Sequence, residues 1–218
     1  MPLLAESIVH VWRAELESTG EELVELLSAE ERARGERFLH ERDRRLWMRS
    51  RGVLRALIGR YLHTDGRNLA FTTGEHGKPA LLIDRASGPA GLSFNLSHSG
   101  SLALYAFALT VPVGVDVELA RRSVDEVAVA ERMLGPAAAA RLGELDAESR
   151  EQEFLRLWVR HEAELKCLGK GIGRAEQVGL DEHRPWLADL DVGPRAAAAL
   201  ATTGTPGELH LWDWTPGA

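Results

Sequence analysis

The sequence predicts an α+β fold, and three patterns carry that reading. Apolar residues recur at helical spacing over residues 19–62 and again over 123–171. Between them lie alternating, strand-like runs bounded by Gly and Pro. The two kinds of segment come in successive blocks rather than in strict alternation, which separates α+β from α/β. A chain of 218 residues can bury a sizeable core, and 44% hydrophobic with 27% charged residues is ordinary globular composition.

The first helical block opens at Ser28 with Glu31 three residues on, the arrangement of a capping box. Leu46, Val53, Leu54, Leu57, Ile58 and Tyr61 then mark a buried helix face. Ten arginines fall between Arg32 and Arg60, mixed with Glu36, Glu41 and Asp43. For most of them the plain expectation is a solvated face laced with i,i+4 pairs. The stretch LAFTTGEHGKPALLI (69–83) reads as a hairpin turning through Gly74, Gly77 and Pro79. GLSFNLSHSGSLALYAFAL (91–109) reads as a second, turning at Ser97-His98-Ser99-Gly100. In its first arm Ser93, Asn95 and Ser97 share one face, Phe94 and Leu96 the other. VPVGVDVEL (111–119) follows as a strand, and Gly135-Pro136 opens a new helix inside the second helical block. Residues 181–207 are poor in pattern, and ELHLWDW (208–214) alternates like a final strand. No repeat or low-complexity linker interrupts the chain.

Bulk properties exclude several roles. Glu6, Arg13 and Glu15 break up the apolar start, and no run approaches the roughly 18 apolar residues of a membrane span. The single Cys167 rules out an intramolecular disulfide and fits a reducing cytosol. A net charge of −7 argues against nucleic acid as a partner. Lysine appears only as Lys78, Lys166 and Lys170 in a chain that otherwise uses Arg, which draws attention to those positions.

Chemistry concentrates in two places. On the strand 111–119, Asp116 and Glu118 point to one face while Val115 and Val117 point to the other. Either that face is wet, or a cation lies between the carboxylates; a hard divalent ion takes such oxygens together with phosphate. The stretch FLRLWVRHEAELKCLGKG (154–171) is the second place. As a helix it carries an apolar stripe of Leu155, Trp158, Leu165 and Leu168, and Glu162 falls inside that stripe. Lys166 follows Glu162 by one turn, whereas Glu164 lies off the stripe and suits an ordinary surface pair. Glu162 would complete an oxygen site for the cation, and Lys166 could meet a phosphate bound to it.

Four segments in order, Gly77-Lys78-Pro79, Asn95-Leu96-Ser97-His98-Ser99, Gly114-Val115-Asp116-Val117-Glu118 and Trp158 to Lys166, resemble the motifs of the 4′-phosphopantetheinyl transferases of the surfactin-synthetase-activating type. The resemblance spans residues 77–171, and the arginine-rich helix before it also fits. It implies two pseudo-symmetric α+β halves, 1–108 and 109–218, with the site in the cleft between them. It implies transfer of the 4′-phosphopantetheine arm of coenzyme A to a serine of an acyl, aryl or peptidyl carrier protein, releasing adenosine 3′,5′-bisphosphate. Asp116, Glu118 and Glu162 would hold Mg²⁺, or Mn²⁺ in its place, against the pyrophosphate. Catalysis would rest on Asp116, Glu162 and Lys166, with Glu162 as base, directly or through water, and Lys166 on the breaking pyrophosphate. Lys78, Asn95, Ser97 and His98 would contact the nucleotide, His98 near the 3′-phosphate, with Arg34 and Arg45 the best-aligned arginines for that phosphate. A cytoplasmic monomer without membrane or nucleic-acid partners is expected. One departure stands out: the family usually has Lys immediately before the catalytic Glu, and this chain has His161, so Arg160 or a protonated His161 would have to supply any charge needed there. Two other functions suit the same residues, a Mg²⁺-dependent hydrolase of a coenzyme-A-like pyrophosphate and a carrier-binding module without activity.

Overall fold

Two β-sheets lie face to face at the centre, each covered on its outer side by one long helix. The computed structural model describes residues 3–73, 79–82, 91–120, 125–169 and 184–215. Within them the chain runs β1 (Ile8–Glu15), α1 (Ala29–Gly35), α2 (Glu41–Tyr61), β2 (Phe71–Thr73), β3 (Pro79–Leu81), β4 (Leu92–Ser99), β5 (Leu102–Leu109), β6 (Val113–Leu119), α3 (Glu126–Met133), α4 (Pro136–Gly143), α5 (Ala147–Leu168), β7 (Trp186–Asp189), β8 (Ala196–Thr202) and β9 (Glu208–Asp213). One sheet has the order β4-β5-β1-β9, the other β6-β8-β7, and β2 pairs with β3 alone. All pairings are antiparallel except β9 with β1, which run parallel from Ile8 opposite Glu208 to Arg13 opposite Asp213. A strand from the end of the chain thus completes the first sheet.

The packing follows the alternation of side chains. Trp12, Phe94, Tyr105 and Phe107 face α2 and meet Leu54, Leu57, Ile58 and Tyr61. Val9, Val11, Leu104 and Ala106 point the other way and meet Val113, Val115, Val117 and Leu200 of the second sheet. The outer face of that sheet presents Ala199 and Ala201 to Val159, Ala163 and Cys167 of α5. At 25–30 cal/mol per Å², burial on both faces of each sheet is the main stabilising contribution. The helices start on the caps their sequences offer. Ser28 and Glu31 make both bonds of the capping box, Asp125 caps α3, and Asp146 accepts from the amides of Glu148 and Ser149. Gly135 (φ +94°) delivers Pro136 to the first turn of α4, and Gly169 (φ +68°) ends α5.

Several expectations need correction. The helical block 19–62 is divided into a 3₁₀ segment (Glu21–Leu26), α1 and α2. The second hairpin turns at Gly100-Ser101, because Gly100 (φ +56°) is the residue that can adopt the left-handed region. Ser97, His98 and Ser99 therefore belong to the strand. Strands β7 and β8 occupy the stretch that showed little pattern, and β1 was not anticipated at all. On α5 the face against the sheet is Val159, Ala163 and Cys167, at four-residue spacing, while Leu155, Trp158 and Leu168 are only partly buried. Glu164 is not at the surface: it is 2% exposed and held by Arg184. Nor are all the arginines of α2 solvated, since Arg51 and Arg55 are buried against Glu31.

Gly114 explains how closely α5 approaches. A Cβ on this residue would stand 2.1 Å from the Ala163 carbonyl oxygen and 2.4 Å from the Cys167 amide nitrogen, both backbone atoms. Gly114→Ala is therefore expected to lower stability by about 1–3 kcal/mol through overpacking. An unchanged denaturation midpoint would contradict this account of the contact.

Under the first sheet, Trp12 Nε1 donates to Tyr61 Oη at 2.9 Å, and Tyr61 Oη lies 2.8 Å from His10 Nδ1. The three groups satisfy one another when the phenol donates to a neutral imidazole. Burial, helped by nearby His210, pushes the His10 pKa down from 6.5 to about 4. In the unfolded chain His10 takes its proton first, so the unfolded state binds more protons between these values. Stability is then full above pH 6.5 and declines as pH falls toward 4. Over that window the wild type should lose on the order of 3 kcal/mol more than His10→Asn, measured by urea denaturation at several pH values. Parallel profiles would show that His10 is not the titrating group.

Candidate active site

Three elements meet at one carboxylate. Asp116 sits in the middle of β6, facing α5, and is 3% exposed. Its Oδ1 accepts from Lys166 Nζ at 2.6 Å and from Ser97 Oγ at 2.7 Å, and Lys166 Nζ also reaches Ser97 Oγ at 3.0 Å. The strand supplies Asp116, the helix supplies Lys166, and β4 supplies the hydroxyl that joins them. Two residues along, Glu118 is partly buried and its Oε2 accepts from Ser99 Oγ at 2.7 Å. Asp116 and Glu118 do share a face, as period two requires; it is buried at Asp116 and stays partly open at Glu118.

Glu162 lies beneath the same helix at 4% exposure. Burial raises its pKa first, Asp116 and Glu118 add repulsion, and Lys166 opposes them. Among the described residues the cluster therefore sets three carboxylates against one ammonium. Asp116 Oδ2 and Glu162 Oε1 are both buried without a hydrogen-bond partner. Such atoms are costly unless something binds them, and hard oxygen donors of this kind suit a divalent cation. Among the described residues no three His, Cys, Asp or Glu side chains are gathered as a ready metal cage.

Strand β4 connects this cluster to a second region. Leu96 lines a cavity of about 640 Å³, together with Arg34, Trp47, Arg51, Phe71 and Pro79. Within it Glu31 accepts from Arg51 at 2.6 and 2.9 Å and from Arg55 at 2.5 Å. Burial works to raise the Glu31 pKa, but the charge and hydrogen bond of Arg51, the Ser28 amide and Arg55 hold it below its usual value. Phe71 packs under both guanidinium groups, 5.0 Å from each to the ring centroid. Arg34 lies 5.6 Å from the Trp47 ring and has no ion pair among the described residues. His98 stands between the two regions. Its side chain reaches solvent, yet the surrounding cleft partly desolvates it and lowers its pKa, Lys166 lowers it further, and Asp43 opposes.

The structure thus puts Asp116, Lys166 and Ser97 in direct contact, with Glu118 and Glu162 near enough to interact by charge and His98 near Lys166. Arg34 lines the cavity; Arg45 is exposed on α2 and does not. Asn95 is buried, with its Oδ1 accepting from the Val115 amide at 2.9 Å, so it braces β6. Lys78 lies outside the described residues. Neither substitute for the missing lysine is in place: Arg160 is bound to both oxygens of Asp189, at 2.5 and 2.9 Å. Burial lowers the His161 pKa, with Glu164 opposing and Arg184 reinforcing, which disfavours its protonated form. Sequence reasoning named Ser99 within its motif but gave it no role, although its place two residues after Ser97 put it on the same face, and missed Arg51, hidden among other arginines.

Comparison with known proteins accounts for this arrangement. Residues 11–109 match the family model described as 4′-phosphopantetheinyl transferase, N-terminal, and residues 112–214 match that of the 4′-phosphopantetheinyl transferase superfamily. The 4′-phosphopantetheinyl transferase HetI of Nostoc sp. is 38% identical over 220 residues, covering 94% of this chain and 92% of that protein. A putative 4′-phosphopantetheinyl transferase of Synechocystis sp. is 36% identical over 159 residues, covering 72% of this chain and 63% of that one. The 4′-phosphopantetheinyl transferase Sfp of Bacillus subtilis is 26% identical over 210 residues, covering 88% of this chain and 89% of that protein. Matched in both halves and related over nearly its whole length, this chain belongs to the 4′-phosphopantetheinyl transferases, of the Sfp-like type.

Proposed function

We propose that the chain moves the 4′-phosphopantetheine arm of coenzyme A to a serine of an acyl, aryl or peptidyl carrier protein, in the cleft between halves 1–108 and 109–218. The observation that carries the assignment of the centre is the pair of buried, unpartnered oxygens, Asp116 Oδ2 and Glu162 Oε1, beside Lys166. Asp116, Glu118 and Glu162 would hold Mg²⁺ or Mn²⁺. When bound, the ion neutralises negative charge on the pyrophosphate as its P–O bond breaks.

The remaining work falls to side chains. Glu162, with its pKa raised by burial, is the base that takes the proton of the carrier serine. The serine oxygen forms its bond to the phosphorus of the arm, the bond to the departing adenosine 3′,5′-bisphosphate breaks, and the proton stays on the carboxyl until solvent removes it. Lys166, held at Asp116 and Ser97, stabilises the leaving group by its charge. Arg34 and His98 receive the 3′-phosphate, His98 gaining a proton as the anion arrives. With His161 where the usual lysine would stand, Lys166 would carry a larger share of the phosphate chemistry. No described helix is long and apolar enough to cross a membrane, and we read the protein as a cytoplasmic monomer.

Asp116→Ala and Glu162→Gln should each reduce transfer by about 10²–10⁴-fold with unchanged far-ultraviolet circular dichroism. Incubation with coenzyme A, Mg²⁺ and an apo carrier, read by mass spectrometry, measures the gain of one arm. Bisphosphate released without a carrier would indicate a hydrolase, and no product of either kind would indicate a binding module. Full activity of either variant would refute the carboxylate assignment.

In the same assay Arg34→Ala should raise the KM for coenzyme A roughly 10-fold or more, as expected for loss of a charged hydrogen bond. Arg45→Ala should leave it within about twofold, as expected for an exposed side chain outside the cavity. Equal effects of the two changes would show that the 3′-phosphate lies elsewhere.

A further inference from the structure

Strand β4 meets the free edge of β6 through side chains. Asn95 Oδ1 accepts from the Val115 amide at 2.9 Å, and Ser99 Oγ accepts from the Leu119 amide at 3.2 Å. Both amides belong to the edge of β6 that does not pair with β8. Between these two fixed points, and beyond them, the hydroxyls turn to the carboxylates: Ser97 Oγ donates to Asp116 Oδ1 and Ser99 Oγ donates to Glu118 Oε2, each at 2.7 Å. Residues i and i+2 of one strand thus match residues i and i+2 of the other, rung for rung. Ser97 is 8% exposed and Ser99 2%, so neither hydroxyl is a surface decoration.

The two rungs differ in what they add. Asp116 is already held by Lys166, so Ser97 shares its task. Glu118 is partly exposed and carries no ion pair among the described residues. Without a fixed donor its side chain would be free to turn toward water, at a gain in rotamer entropy. Ser99 is anchored at the other end by the Leu119 amide, which aims its single proton at the carboxylate. We infer that Ser99 is a positioning residue for the cation site, holding Glu118 in the orientation in which it can join Asp116 and Glu162. This rests on the carboxylate assignment above and adds to it a residue outside the ligand set.

The test is direct binding of Mn²⁺, followed by electron paramagnetic resonance, to the wild type, Asp116→Asn, Ser99→Ala and Ser99→Thr. Ser99→Ala should weaken Mn²⁺ binding about 10-fold or more, the usual effect of removing a hydrogen bond to a metal ligand. Ser99→Thr, which keeps the hydroxyl, should bind within about threefold of the wild type. The Mg²⁺ needed for half-maximal transfer should rise in parallel for Ser99→Ala, while the KM for coenzyme A at saturating Mg²⁺ stays unchanged. Should Ser99→Ala fail to fold, Ser99→Cys, close in volume but a weak donor, answers the same question. Wild-type affinity in Ser99→Ala, with Asp116→Asn impaired, would overturn the role of Ser99 and leave the site standing. Equal affinity in the wild type and Asp116→Asn would overturn the site itself and Ser99 with it.

Discussion

A carboxylate buried beneath a helix must find positive charge nearby or give up its own. That constraint organises the centre of this protein. Asp116 is covered by α5, and the same helix brings both another carboxylate, Glu162, and an ammonium that answers them, Lys166. The arrangement depends on close approach. Gly114 lies under the Ala163 carbonyl, and Ala163 and Cys167 pack on Ala199 and Ala201. Bulkier residues would lift the helix and let water into the cluster, weakening every charge interaction in it. The glycine that opens one motif and the alanine after the glutamate in the other are therefore packing residues that set the electrostatics of their neighbours.

The cavity beside α1 is built on a different balance. Glu31 begins as a cap residue of α1 and ends as the counter-ion of two buried arginines. Arg51 and Arg55 are committed to it and stacked on Phe71, so the cavity has cationic walls held in place, while Arg34 has no ion pair among the described residues. A wall paired in this way keeps its shape when the cavity is empty. Arg34, set against Trp47 on a short helix, can adjust.

Much of this was legible in the residues, and the failures have physical causes. Helices announced themselves through caps and period, and Asp116, Glu118, Glu162 and Lys166 through charges placed where apolar neighbours were expected. β1 escaped notice because both its faces are covered, one by α2 and one by the second sheet, so IVHVWRAE shows no alternation and even His10 is inside. β8, AAAALAT, carries a run of the best helix-forming residue; it is a strand because only small side chains let α5 settle on it. The pairings of Arg51, Arg55 and Glu164 depend on residues 20 or more positions away, and no local pattern encodes them.

The parallel pairing of β9 with β1 has a consequence for how the protein is made. Synthesis delivers residues 8–13 early and their partners 208–213 some two hundred residues later. In the interval β1 offers an open strand edge, with Val9, Val11 and Trp12 along it, of the kind that captures other extended chains. The first sheet cannot be completed until residues 208–213 have been made, so its last strand is added only after the whole second sheet has emerged. Until residues 208–213 pair with it, that edge favours association with other extended chains over completion of the sheet.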